Sequence, residues 1–490
     1  MPVPGRLKNV VLWAAALFVF LPVLILWGYY FSESSWLNVD GVMAILQTNT
    51  AEAAEYLQDK LHFAALILVS FYLMLTIICG SFGRRLEVKR GSRKIYAAAA
   101  VFLVLNVVLM MRTGRMGDNF VTSIFLETKI YQANYNEYIK LAETRKQQLQ
   151  NTLRTENAGD PGIYVLVIGE SQNRARMSAY GYPLDTTPWL KEMKQNRNFL
   201  LFRNAYSCHV QTVPTLSYAL TAKNQYNSLD LKEAVSLIDV ANAAGYQTVW
   251  LSNQMRYGFW DTPVTVIAGA AGRQIWINSH ITKHAANAPA DYQDIELVRR
   301  LQGLTLSDKM LIVVHLMGNH IAYQKRYPAE YGKFTVEGKR SEYDNSILYN
   351  DYVMEELVKN VSTWPNFKGL VYFSDHSEGV AHDLNHNPDT FVFEMAYIPM
   401  YMYFSEEYQK KQPRIFETLR AAQNYYFTND LIFNVMLGIM DIQNKALYEP
   451  DNDLTSPRYN PDLNRFMTLF GKRKITEDVE GKQTGGQNAK

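Results

Sequence analysis

The stretch Ile163–Ser171, IYVLVIGES, constrains the fold of this 490-residue chain more than any other. It is a continuous run of strand-forming apolar residues that ends abruptly in Gly-Glu-Ser. Such a run, bounded by a glycine, predicts a parallel strand that is buried on both faces. The carboxylate of Glu170, directly after the strand, is then expected at the carboxyl edge of the sheet, where open α/β folds bind their ligands.

Two later stretches repeat this pattern. MLIVVHLMGNH (310–320) and LVYFSDHSE (370–378) are also apolar runs that end in histidine or in Asp-His. Strand-like and helix-like segments alternate across the same region. The predicted strands are 163–168, 246–251, 310–316, 369–373 and 396–403, and the predicted helices are 186–196, 231–244, 341–361 and 412–422. This alternation predicts an α/β sandwich around a central mixed, mainly parallel sheet.

The three strand ends bring together residues that could bind a metal ion. Glu170, Asp375 and His376 are oxygen and nitrogen donors of the kind that a divalent ion such as zinc prefers. Taken singly, Glu170 could instead cap the following helix, and Asp375-His376 could be an ordinary loop pair. Because all three residues follow strands that end at one edge, the sequence favours a metal site.

Histidines are concentrated in two loops that follow these strands. The chain has nine histidines, and five of them are His315, His320, His376, His382 and His386. His315 follows four apolar residues and could be an ordinary core histidine. The other loop histidines lie in polar surroundings, where burial does not explain them, so the clustering indicates a site.

A metal ion alone does not define a reaction, and a nucleophile is also needed. The segment NAYSCHVQTVPTLSYALT (204–221) lies between the first two strand-end motifs and turns helical after Pro214. A hydroxyl near the start of that helix would face its positive end, and coordination to a metal would lower the pKa of the hydroxyl. The candidates are Ser207, Thr212 and Thr215, although Thr212 could equally be a helix N-cap.

Apolar residues are concentrated at the N-terminus. Residues 10–31, 61–82 and 95–111 are three segments near the length of about 20 residues that spans a bilayer. The segment GRRLEVKRGSRK between the second and third is basic, so the positive-inside rule places it in the cytoplasm and residues after Arg112 on the far side. The net charge of +2 argues against a nucleic-acid partner.

These patterns divide the chain as follows: a transmembrane domain at 1–113 with an exported amphipathic loop at 31–60, a helical connector at 114–160, a catalytic domain at 161–469, and a disordered tail at 470–490.

The motifs together resemble those of the phosphoethanolamine transferases of Gram-negative inner membranes, which belong to the alkaline phosphatase/sulfatase superfamily. The resemblance covers nearly the whole chain and keeps the family order: TNTAEA, VIGESQNRARMSAYGYPLDTTP, WLSNQ, HLMGNHIAYQKRYP, YDNSILYND, and SDHSE followed by a histidine. It implies a multi-pass inner-membrane enzyme with a periplasmic catalytic domain.

The resemblance also implies roles for particular residues. A catalytic zinc ion (Zn2+) would be held by Glu170, Thr212, Asp375 and His376, with Thr212 as the nucleophile that accepts phosphoethanolamine from phosphatidylethanolamine. His315, His320 and His386 would line the substrate phosphate or hold a second zinc, with His320 assisting proton transfer. The remaining substrate-binding positions would be Thr48, Glu52, Asn253 and His382, the last as the alternative to His386.

The chain departs from the family pattern at several positions. Ser377 replaces the glycine of SDHGE, Ala44 stands where many members carry an asparagine, and three predicted spans replace the usual five. Cys208 matches a cysteine that is disulfide-bonded in members that modify lipid A, but its partner position is Tyr218. The missing disulfide resembles the subgroup that acts on lipopolysaccharide core sugars or periplasmic glucans.

A lipopolysaccharide or lipooligosaccharide core sugar is therefore the expected acceptor, with lipid A and periplasmic glucan as alternatives. A phosphoglycerol transferase would use the same threonine and metal. A sulfatase would need a C/S-x-P-x-R motif, which the residues after Cys208 lack. A non-catalytic membrane receptor with a degenerate site is the alternative of a different class.

Overall fold

The structure is a computed structural model that describes residues 26–33, 35–48, 120–153, 158–254, 262–278, 293–336 and 338–481, with a few further residues between 53 and 105. The chain divides into two compact units, 1–133 and 134–490.

In the first unit, helix α1 (Val39–Gln47) lies in the segment 31–60 that was predicted to be an amphipathic loop. Asn38 begins it as N-cap, because its side chain accepts a hydrogen bond from the Gly41 N–H at 2.8 Å. Thr48 ends it, and its hydroxyl donates to the Ala44 carbonyl at 2.6 Å. The three predicted spans lie mostly outside the described residues, as does Glu52. Among the residues that are described, no helix has the length and apolar character needed to cross a bilayer.

Helices α2 (Phe120–Lys140) and α3 (Ala142–Leu153) occupy most of the segment that was predicted to be a helical connector. Tyr138 and Leu149 are buried in the core of the second unit. The Arg145 guanidinium lies 3.8 Å from the centre of the Tyr138 ring and donates to the Lys232 carbonyl.

A seven-stranded sheet forms the centre of the second unit, in the order β2-β8-β7-β1-β6-β4-β5. Pairing is parallel from β7 through β5, whereas β8 is antiparallel to both of its neighbours. The prediction of a mixed, mainly parallel sheet is therefore confirmed. The sheet strands are β1 (Ile163–Gly169), β2 (Phe199–Phe202), β4 (Gln247–Ser252), β5 (Arg273–Trp276), β6 (Met310–His315), β7 (Phe367–Ser374) and β8 (Met400–Phe404), and the outlying strands are β3 (Asn204–Tyr206), β9 (Tyr426–Thr428), β10 (Met467–Thr468) and β11 (Arg473–Lys474).

Helices cover both faces of this sheet, which explains why β1 is apolar at every position. Tyr164, Leu166 and Ile168 belong to one hydrophobic cluster, and the alternate residues Val165 and Val167 belong to the other. The helices are α4 (Pro188–Met193), α5 (Thr212–Ala219), α6 (Leu237–Ala243), α7 (Pro263–Gly269), α8 (Ile295–Gln302), α9 (Lys339–Val361), α10 (Glu406–Lys411), α11 (Pro413–Ala421) and α12 (Ile432–Ile439).

The prediction of a disordered tail from residue 470 is wrong for residues 470–481. Ile475 is 1% exposed, and the equally buried Asp478 accepts hydrogen bonds from the Tyr206 and Tyr397 hydroxyls at 2.9 and 2.7 Å. The polar, glycine-containing composition suggested disorder, but this segment is held by contacts with distant parts of the chain rather than by a core of its own.

Candidate active site

The strand register brings the predicted motifs to one edge of the sheet. Strand β1 lies between β6 and β7, with Ile168 opposite His315 and Gly169 opposite Ser374. The residues that follow the three strands therefore emerge side by side at the carboxyl edge.

Glu170, Asp375 and His376 converge there, with one ligand atom of each lying within 4.8 Å of the others. The His376 Nε2 atom lies 3.5 Å from Glu170 Oε1 and 3.4 Å from Asp375 Oδ2. All three side chains are at most 1% exposed. This is the trio that the sequence predicted.

Neighbouring groups fix the orientation of these side chains. Asp375 Oδ1 accepts hydrogen bonds from the backbone N–H groups of Ser171 at 3.1 Å and His376 at 2.7 Å. Asp375 Oδ2, in contrast, is buried and has no hydrogen-bond partner among the described residues. His376 Nδ1 lies 3.1 Å from the Ser377 carbonyl, so as a donor there it leaves Nε2 as a lone pair facing the site.

The electrostatics of the trio also fit a bound cation. Burial and the nearby Asp375 carboxylate raise the pKa of Glu170 well above its ordinary value. Burial is also the main cause that lowers the pKa of His376, which favours the neutral imidazole that can act as a ligand. A divalent cation would offset the repulsion between the carboxylates and would give the unpartnered Asp375 oxygen a partner.

Thr212 lies beside the trio, at the first residue of α5. Its hydroxyl donates to Glu170 Oε2 at 3.2 Å and lies 3.4 Å from His376 Nε2. The N-cap of the helix is Gln211, which makes no side-chain capping bond, so Thr212 is not the cap. The hydroxyl therefore has the position that a nucleophile at this site requires.

Neither of the other two hydroxyl candidates makes a hydrogen bond to the trio among the described residues. The Thr215 hydroxyl donates at 3.0 Å to the carbonyl of His209, which precedes the helix. Ser207 is fully buried, and its hydroxyl has no partner among the residues that the structure describes.

His315 and His320 follow β6 but differ in their surroundings. His315 is 3% exposed, its ring meets the Trp250 ring edge-on at 5.9 Å, and burial lowers its pKa to about 4. These contacts are also those expected of a core histidine. Burial lowers the pKa of His320 too, with further lowering by Arg326 and by the nearby His386 and His376. His320 therefore lies close to His376 and His386.

The two histidines of the second loop, His386 and His382, have different neighbours. The His386 ring lies 4.5 Å from the His376 ring, and its Nδ1 atom lies 2.8 Å from the buried Glu378 carboxylate. His382 pairs instead with Glu394, with its Nδ1 atom 3.0 Å from Oε2. The structure thus brings His386, and not His382, next to the trio.

Asn253 does not face the site. Its amide donates to Asp294 at 2.8 Å and accepts from Asn278 at 2.6 Å, so the side chain belongs to a buried polar network. The next residue, Gln254, lies 3.5 Å from Glu170 Oε2 and donates to the Leu316 carbonyl at 2.9 Å. The structure therefore places Gln254, rather than Asn253, within hydrogen-bond distance of Glu170, because successive residues at a strand end point to opposite sides.

Several supporting residues were not identified from the sequence. Glu378 is fully buried, and its Oε2 atom has no partner among the described residues. Asn429 donates to the Asp375 carbonyl at 2.6 Å and accepts from the Cys208 N–H at 2.9 Å. Gly318 has a φ of +50°, and a Cβ atom there would lie 2.7 Å from the Glu170 carbonyl oxygen. Only the Glu in SDHSE and the Gly in HLMGNH gave a sequence signal.

Comparison with known proteins agrees with this geometry. Residues 163–442 match the family model described as Sulfatase. Over 99% of its length the chain is 30% identical to the phosphoethanolamine transferase EptC of Escherichia coli, covering 89% of that protein. It is 28% identical to the phosphoethanolamine transferase CptA of Salmonella typhimurium, with the same coverage.

Solved structures give the same result. The crystal structure of the C-terminal periplasmic domain of EptC from Escherichia coli, in complex with Zn, matches 67% of this chain and 97% of that domain, with 29% identity and a TM-score of 0.60. The integral membrane protein EptA of Neisseria meningitidis shares the fold over 90% of this chain and 86% of its own, with 20% identity and a TM-score of 0.64. The chain is thus a member of the phosphoethanolamine transferases, within the sulfatase family.

Proposed function

We propose that the protein transfers phosphoethanolamine from phosphatidylethanolamine to a cell-envelope glycan through a covalent intermediate on Thr212. The main support is the position of the Thr212 hydroxyl, which donates to Glu170 and lies 3.4 Å from His376 Nε2. A hydroxyl held between a carboxylate and an imidazole can lose its proton as it attacks.

The reaction then follows two balanced steps. The Thr212 oxygen attacks the phosphorus of the lipid, the phosphorus–oxygen bond to diacylglycerol breaks, and the proton lost by Thr212 is passed through the site to the diacylglycerol oxygen. An acceptor hydroxyl next attacks the same phosphorus, and the bond to Thr212 breaks with return of a proton to its oxygen. Most of the rate acceleration would come from positioning and from stabilising charge on the phosphoryl oxygens.

Glu170, Asp375, His376 and Thr212 would hold a zinc ion in this protein. The unpartnered Asp375 oxygen and the Nε2 lone pair of His376 fit such an ion, and the related domain of EptC was solved in complex with Zn. When bound, zinc supplies positive charge that lowers the pKa of a coordinated hydroxyl and polarises a phosphoryl oxygen.

His386, His320 and His315 would act on the substrate phosphate, or would hold a second zinc. Glu378 holds His386 Nδ1 at 2.8 Å, which turns Nε2 of the same ring away from Glu378. His320 would assist the proton transfer to or from the acceptor hydroxyl. His382 has no part in this proposal, since Glu394 occupies its Nδ1 atom.

The lipid donor explains the apolar segments at the N-terminus. Segments 10–31, 61–82 and 95–111 would anchor the chain in the inner membrane, with the catalytic domain in the periplasm. Anchoring raises the effective concentration of the donor at the site. Thr48 and Glu52 of the exported loop would contact the ethanolamine end of the lipid.

A lipopolysaccharide or lipooligosaccharide core sugar is the proposed acceptor. The Cys208 thiol is buried and free, as in the subgroup of the family that lacks this disulfide. Mass spectrometry of lipopolysaccharide from cells with and without the protein tests this proposal. The expected result is one additional phosphoethanolamine on the core in cells that carry the protein, and an addition confined to lipid A would contradict it. Release of diacylglycerol from phosphatidylethanolamine but not from phosphatidylglycerol would exclude a phosphoglycerol transferase.

A further inference from the structure

The C-terminal segment 467–481 contacts the segment that leads to Thr212. Its Thr468 hydroxyl donates to the Ser207 carbonyl at 2.7 Å. Its Asp478 carboxylate accepts from the Tyr206 hydroxyl at 2.9 Å. These contacts hold Tyr206, which is the last residue of strand β3, and Ser207, which follows it.

The next three residues of the Thr212 segment contact Leu469 and Phe470. The Phe470 N–H donates to the Cys208 carbonyl at 3.1 Å. The Phe470 ring centre lies 4.9 Å from that of His209, and Leu469 packs with Val210 in a small apolar cluster. Each residue from 206 to 210 is therefore held by the C-terminal segment.

Phe470 also reaches the other side of Thr212. Its ring is stacked on the ring of Tyr218 in α5, with centres 4.2 Å apart and planes inclined by 25°. His209 lies three residues before Thr212 and Tyr218 lies six residues after it. A single aromatic ring thus contacts the chain on both sides of the hydroxyl, which restricts its movement relative to Glu170.

The backbone at this contact is strained. Leu469 and Phe470 have φ angles of 51° and 52°, in the left-handed region that non-glycine residues seldom adopt. Such a conformation is energetically unfavourable and persists where surrounding contacts impose it. It directs the Leu469 side chain to Val210 and the Phe470 ring to His209 and Tyr218.

The same loop is connected to the metal trio. Asn429 accepts a hydrogen bond from the Cys208 N–H and donates one to the Asp375 carbonyl. The backbone of Cys208 is therefore held by Asn429 at its N–H and by the Phe470 N–H at its carbonyl. Movement of this peptide would change the distance between the Thr212 hydroxyl and the trio.

We infer that Phe470 is a positioning residue for the reaction, which clamps the chain on both sides of Thr212 so that its hydroxyl faces Glu170 and His376. This inference rests on the proposed role of Thr212 as nucleophile. Residues 467–481 are on this account part of the active-site scaffold.

The test uses the full-length protein and Phe470→Gly, which removes the ring but adopts a positive φ readily. We expect kcat for diacylglycerol release to fall about 10- to 100-fold, because small misplacement of a reacting group is costly, with KM for phosphatidylethanolamine changed less than about 2-fold. Zinc content should be unchanged. Phe470→Tyr keeps the ring and should retain kcat within about 3-fold of the original protein.

Tyr425→Ala is the matched control, because it removes another stacked ring, at 6.2 Å from Tyr459, in the same domain. It should leave kcat unchanged. A normal kcat for Phe470→Gly, or an equal loss of zinc and melting temperature in Phe470→Gly and Phe470→Tyr, would overturn the inference. Thr212→Ala separates the two proposals: if it is active, the proposed function fails, and if it alone is inactive, only the role of Phe470 fails.

Discussion

The catalytic domain contains buried carboxylates at two places, the Glu170–Asp375 pair and the single residue Asp351. The two places differ in whether each carboxylate oxygen has a hydrogen-bond partner. Burial raises the pKa of Glu170, beside Asp375, and it also raises the pKa of Asp351 to about 8. Asp351, however, accepts hydrogen bonds from the backbone N–H groups of Trp189 at 2.8 Å and Leu190 at 3.1 Å, one on each oxygen. Asp375 has one oxygen with no partner among the described residues.

The difference shows that a raised pKa does not by itself identify a functional site. Burial has the same effect on a structural carboxylate and on a candidate metal ligand. What separates them is whether the surrounding protein satisfies each oxygen. Asp351 holds the first turn of α4 and both its oxygens accept hydrogen bonds, whereas the Asp375 oxygen that lies 3.4 Å from His376 Nε2 has no hydrogen-bond partner within the described part of the chain.

The largest expected effect is that of Thr212→Ala, which tests whether the transfer reaction takes place at the Glu170–Asp375 site. We expect diacylglycerol release to fall by at least about 1000-fold, because removing a nucleophile abolishes the covalent route. Thr212→Ser keeps a hydroxyl and should retain part of the activity. Activity of Thr212→Ala above about one tenth of the original would mean that another group attacks the phosphorus.

Asp375→Asn and Asp351→Asn compare the two groups directly. Asparagine keeps the shape of the side chain but lacks the negative charge that a metal ligand contributes. We expect Asp375→Asn to weaken zinc binding by at least about 100-fold and Asp351→Asn to leave it unchanged, as measured by competition with a chelating indicator. Equal zinc affinities for the two variants would remove the proposed distinction.

The sequence predicted the parts of this arrangement that depend on strands. The apolar runs of β1, β6 and β7 located the edge, and Glu170, Asp375 and His376 follow those strands directly. Thr212 was one of three hydroxyl candidates on local grounds, and the family resemblance selected it. These residues could be predicted because the sequence pattern marks both the end of a strand and the start of a helix.

The rest depends on long-range contacts that no local pattern records. Gln254 reaches Glu170 although Asn253 was predicted, because the side on which a strand-end residue emerges depends on the register. Residues 470–481 are ordered because they contact residues 206–210, which lie more than 250 positions earlier in the chain. Asn429 supports Asp375 from a short turn with no recognisable motif.

A comparison of two histidines applies the same distinction to the second loop. His386 pairs with Glu378, whose other oxygen has no partner among the described residues. His382 pairs with Glu394, whose oxygens also accept from the Ala381 N–H at 3.1 and 3.0 Å. We expect His386→Asn to lower kcat about 100-fold and His382→Asn to lower it less than about 3-fold.

The measurement is steady-state transfer at a fixed pH with matched zinc content. If His382→Asn lowers kcat more than His386→Asn does, the functional pair would be His382–Glu394. An oxygen without a hydrogen-bond partner would then not mark the functional residue in this loop.

The smallest effect concerns stability and tests the satisfied carboxylate alone. The pKa of Asp351 is about 8 in the folded protein, against an ordinary value of 3.8, so the folded state binds the proton more tightly. The contribution of Asp351 to stability is therefore complete below pH 3.8 and is lost as the pH rises towards 8. Asp351→Asn removes this titration, and the amide oxygen can still accept from one backbone N–H. The melting temperature of the original protein should fall by several degrees more than that of Asp351→Asn between pH 5 and pH 8. Parallel pH profiles of the melting temperature for the two proteins would mean that Asp351 stays ionised in the folded protein. The two hydrogen bonds from backbone N–H groups would then affect its pKa more than its burial does.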